Sequence, residues 1–142
     1  MISEKELLQY IHDTAEMGVE GISTIVDYAR NSEMHKVLCT QMEEYRNLER
    51  KAEKLMHVYG AEAKDVGVMA KTGARMMSTG KMLADNSISK IAEMTIEGNT
   101  MGITKTLKHL HDYAGEDQKV LDLTNDLLET QRRNVTQLQS YL

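Results

Sequence analysis

Apolar and small residues recur every three or four positions along most of this chain, the spacing of one helix face. Leu8, Ile11, Ala15, Gly18, Ile22, Ile25 and Ala29 mark a first helix. It opens at Ser3, with Glu6 three residues on as a capping box, and runs to about Arg30. Asn31 and Ser32 leave a very short link with a ready N-cap, so the second helix must return antiparallel. Its seam is Met34, Leu38, Gln41, Tyr45, Leu48, Ala52, Leu55 and Tyr59, closed by Gly60 as a C-terminal cap.

Residues 61–67 read as a polar connection. A segment with a strict small-residue seam follows: Ala70, Gly73, Met77, Gly80, Ala84 and Ser87. The pattern predicts a crossover helix over about 67–84, spanning roughly 27 Å at about 1.5 Å per residue, the length of a bundle. Its small face would let another helix approach closely, and Met69, Met76 and Leu83 flank it. Asp85-Asn86-Ser87 either caps a new helix or lies inside a continuous one. The third bundle helix covers about Ser87 to Asp112, Tyr113 to Glu116 is a turn, and the last helix runs from Asp117 to near Tyr141.

The chain also repeats itself. Ala15-Glu16-Met17-Gly18-Val19-Glu20-Gly21 returns 77 positions later as Ala92-Glu93-Met94-Thr95-Ile96-Glu97-Gly98. The phrase sits at equivalent places in the first and third helices. The reading is one domain, 1–142, of two related hairpins (about 3–60 and 87–141) joined by the crossover.

Composition narrows the fold to all-α. There is no Pro, Phe or Trp, but there are 11 Met, so the strongest helix breaker is absent and the core is aliphatic. A net charge of −5 without a basic stripe argues against nucleic acid as a partner. No run approaches the roughly 18 apolar residues of a membrane span. The first residues lack the basic-then-apolar order of an export signal, so a cytoplasmic protein is expected. Cys39 stands alone and reads as a small buried side chain. The methionines read as packing, with an interface as the second choice, and no phosphate loop or Ser-His-Asp order is present.

With paired hairpins, a long crossover and related first and third helices, the chain resembles the ferritin-like superfamily, in particular its small bacterial bundles, some of which are labelled spore-coat-like. The resemblance implies an antiparallel four-helix bundle. It also implies Glu on the first and third helices and Glu-x-x-His on the second and fourth, pointing inward to hold two metal ions.

A helical wheel tests for those ligands. The Glu-x-x-His frame reads Gln41-x-x-Glu44 on the second helix and Gln131-x-x-Asn134 on the fourth, while Thr95 and Asn99 face inward on the third. The expected central layer is therefore Gln41, Glu44, Thr95, Asn99, Gln131 and Asn134, mostly amides. Amides are weak ligands for iron or manganese and better suited to a hydrogen-bond network that fixes register. A rival frame, Glu43-x-x-Arg46 and Glu129-x-x-Arg132, reads as solvent-facing ion pairs. His12 precedes Glu16 by one turn, so a sparse metal site could combine His12, Glu16, Glu44 and Glu93. His109 and His111 near a helix end suit exposed carbonyls.

Two functional readings follow. In the first, the protein is a non-catalytic bundle with a degenerate metal centre, with no cofactor, acting through self-association (a dimer favoured) or partner binding over the face of Ala70, Gly73, Met77, Gly80 and Ala84. In the second, it is an iron- or manganese-binding oxidase or storage protein with an atypical carboxylate and histidine site.

Overall fold

The computed structural model describes residues 1–64 and 85–142. The sequence-predicted crossover helix, with its small-residue face from Ala70 to Ala84, falls outside them. Among the described residues four long helices form, α1 (Glu4–Ile25), α2 (Glu33–Val58), α3 (Ile88–Asp112) and α4 (Gln118–Leu138). The chain is all-helical there, and no described helix is long and apolar enough to cross a membrane.

The helix ends follow local chemistry. Ser3 and Glu6 close the capping box of α1, which satisfies two otherwise orphaned backbone donors. The helix then tightens into a 3₁₀ turn at Val26–Ala29. Asn31 takes a left-handed conformation, φ 72°, as Asn does more readily than most residues. Ser32 stands at the N-cap of α2, but its hydroxyl donates back to the Ala29 carbonyl instead of capping. At the far end Gly60 adopts φ 69°, and Ala61 N–H returns to the Met56 carbonyl at 2.9 Å, a Schellman closure. Ser87 caps α3 by accepting from Lys90 N–H, so that helix starts afresh after Asp85-Asn86. Asp117 caps α4 by accepting from Lys119 and Val120.

α1 packs on α2 and α3 on α4, and the hairpins meet chiefly through α2 and α4. The core is Leu7, Leu8, Ile11, Ala15, Leu38, Leu48, Ile91 and Leu127 with their neighbours, all buried. In the last turn of α2 the buried residue is Met56, while Leu55 is only partly covered.

One end of the bundle is tied together. Ile2 donates to the Asp112 carbonyl at 2.8 Å and accepts from Ala114 at 3.1 Å. Tyr113 bonds Glu4, and the Tyr59 hydroxyl donates to Asp117. The start of α1, the ends of α2 and α3 and the start of α4 therefore share this end.

Candidate functional site

Five of the six residues expected in the central layer are buried: Gln41, Thr95, Asn99, Gln131 and Asn134. Tyr45 joins them. Its hydroxyl donates to Asn99 Oδ1 at 2.5 Å, and burial pushes its pKa up to about 12, the neighbouring Asn134 amide opposing. Thr95 and Asn99 return their own donors to carbonyls one turn back, Ile91 and Thr95, as short polar side chains inside helices do. A second chain of bonds crosses the bundle. Tyr10 donates to Thr106 at 2.9 Å, and Thr106 donates to Gln131 Oε1 at 2.9 Å. Gln41 donates to Gln137 at 3.1 Å. The layer is thus amides and hydroxyls tied partly to one another, partly to helix carbonyls and partly to Thr106 and Gln137.

Glu44 does not belong to it. Its side chain is 25% exposed and pairs with Arg133 of α4 at 3.1 Å, because α2 turns that flank toward α4 and solvent. The four residues of the sparse metal site do not gather either. His12 and Glu16 approach, Nδ1 to Oε2 4.0 Å, but Glu44 is held by Arg133 and Glu93 lies exposed against Lys90 at 3.2 Å. In the rival frame, Glu43 pairs with Arg46 and Glu129 with Arg132, both on the surface. The Arg50 and Arg46 guanidinium groups hold the Glu43 carboxyl below its ordinary value.

What surrounds His12 instead is a set of carboxylates from two helices. The ring is fully buried, with Asp13 and Glu16 on the Nδ1 side and Glu49 and Glu53 on the Nε2 side. Asp13, Glu49 and Glu53 were not singled out from the sequence. Finding the two glutamates requires the α1–α2 register: Gly18 lies against Tyr45, so in an antiparallel pair six residues back from Gly18 meets six residues on from Tyr45, which is Lys51, bracketed by Glu49 and Glu53. The other histidines are ordinary. His109 bonds the Lys105 carbonyl and stacks on Tyr10, centroids 3.7 Å apart, and His35 lies near Cys39.

Between α1 and α3 runs an apolar groove of about 780 Å³. Met17, Ile22, Ile25, Met94 and Met101 line it, with Gly21 and Gly98 in its walls. No family model, curated protein or solved structure matches this chain.

Proposed function

We propose that the chain is a non-catalytic bundle of the ferritin-like kind, cytoplasmic, that acts by association, most simply as a homodimer. The observation that carries this reading is the chemistry of the central layer. Where a ferritin-like di-metal centre needs several anionic oxygens and imidazoles, Gln41, Tyr45, Asn99, Gln131 and Asn134 present neutral groups. Helix polarity supports the kinship. Tyr59 at the end of α2 meets Asp117 at the start of α4, while α3 begins beside the 3₁₀ turn that follows α1. The end of α2 and the start of α3 therefore lie toward opposite ends of the bundle. The groove between α1 and α3 supports association, because the partly covered Met17 and Met94 and the exposed Met101 line it from two helices.

Light scattering over a wide concentration range tests this. The wild type is expected to dimerise. Gly98→Trp is expected to leave the fold intact and yield a monomer, since a Cβ at Gly98 meets nothing within 4 Å and the indole would then fill the groove. A strict monomer for the wild type at high concentration removes the proposal.

A further inference from the structure

Among the described residues, the charged groups around His12 are all carboxylates. Its Nε2 lies 3.0 Å from Glu53 Oε1, a hydrogen-bond distance. A carboxylate only accepts, so Nε2 carries the proton and donates. In the neutral ring Nδ1 then keeps its lone pair. That atom is fully buried and has no hydrogen-bond partner among the described residues. Among the described residues the charged atoms beside it are two more acceptors, Asp13 Oδ1 at 3.8 Å and Glu16 Oε2 at 4.0 Å. An unpartnered, buried imidazole nitrogen beside two carboxylate oxygens is a donor set that a cation can share.

The separations say what kind of positive centre fits. They are too long for direct hydrogen bonds. With metal–ligand bonds of about 2.0–2.2 Å, however, two ligands of one ion stand about 3–4.2 Å apart. The three ligand atoms all lie within 4.8 Å of one another. The carboxylate behind the imidazole completes the pattern, because a metal-bound histidine commonly donates its other N–H to such a group, fixing tautomer and ring orientation.

We propose that His12 Nδ1, Asp13 and Glu16 bind one divalent transition-metal ion of the zinc or manganese class, with Glu53 orienting the imidazole. One nitrogen and two carboxylates suit these ions, whereas calcium takes six to eight oxygens. Spacing within α1 sets up the site: residues four apart share a face, bringing Glu16 over His12, and the half-exposed Asp13 reaches round from the flank. Asp13 also leaves the ion a route to solvent. Glu49, 3.7 Å from Nε2, adds negative potential. Glu16 takes part in a further interaction and Asp13 Oδ1 accepts from Gln9 at 2.7 Å, so the ion competes for both and micromolar affinity is expected. This inference stands apart from the association reading, since the site is built from α1 and α2 alone.

Calorimetric titration of chelator-stripped, dialysed protein with zinc chloride, and separately with manganese chloride, tests it. One equivalent of at least one ion is expected to bind, with calcium binding at least about tenfold more weakly. Asp13→Asn and Glu16→Gln, both close in shape to the native residues, are each expected to weaken binding by about tenfold or more, with Glu93→Gln unchanged. Imidazole nitrogen NMR is expected to move the His12 Nδ1 resonance on metal addition. Any of three results overturns the proposal: no uptake of either ion, uptake that survives both Asp13→Asn and Glu16→Gln, or a doubly protonated His12 ring whose resonances ignore the metal. The second result would assign uptake to the Nε2 side or to surface histidines such as His109.

Discussion

Tyr45 carries an ionisable hydroxyl into the core, and burial raises it from the ordinary 10 to about 12. The unfolded chain therefore gives up this proton first. Stability from this residue is intact below pH 10 and falls as pH climbs from 10 toward 12, by about 2–3 kcal/mol. Urea titrations at intervals across that window are expected to show the decline, with Tyr45→Phe losing this part of the slope; parallel slopes would contradict the assignment. Asn134 makes a different point. It is fully buried, and although its amide lies near enough to the Tyr45 hydroxyl to ease that group's ionisation, neither of its polar atoms reaches good hydrogen-bond geometry among the described residues. Replacing it by leucine, similar in shape, is expected to raise unfolding free energy by about 1–2 kcal/mol, since the buried amide's desolvation is relieved. A loss of stability in denaturant would show that the amide has a structural role after all. These burials were legible beforehand, because a polar residue on an apolar seam is conspicuous at helical period. The unequal fates of Asn134 and Asn99 were not, because they depend on which side chain crosses from a neighbouring helix.

The helices sort their glycines by what stands opposite. A Cβ at Gly18 would come within 2.7–2.9 Å of three ring atoms of Tyr45, a flat body that cannot swing aside cheaply. Gly18→Ala is expected to destabilise by about 1–3 kcal/mol despite alanine's better helix propensity. At Gly98 nothing lies within 4 Å, so propensity acts alone and Gly98→Ala is expected to stabilise by about 0.5–1 kcal/mol. Thermal melts of the pair should move in opposite directions; equal shifts would refute the close contact. The two glycines occupy different positions in the repeated phrase, and nothing in that repeat separates their roles. Helix seams and caps were readable because they depend on residues a few positions apart. His12 with Glu16 was readable for the same reason. Glu49 and Glu53 required the register between α1 and α2, and Glu44 required knowing that Arg133 faces it.

At the end where Tyr59, Asp117, Ile2 and Tyr113 meet, one side chain serves both hairpins. Asp117 caps α4 and accepts from the Tyr59 hydroxyl at the end of α2. Asp117→Ala is expected to lower stability by about 2–3 kcal/mol, against about 1 for Ser87→Ala, which removes a cap alone. Equal losses in chemical denaturation would mean the tie between hairpins contributes nothing. The clasp of Ile2 onto the α3–α4 link has a practical corollary. It holds the amino terminus at one pole, while α4 delivers the exposed Leu142 to the other. Dyes attached at the two termini would sit some 30 Å apart on a 21-residue helix's length. Energy transfer between differently labelled copies would then tell a head-to-head pair from a head-to-tail one.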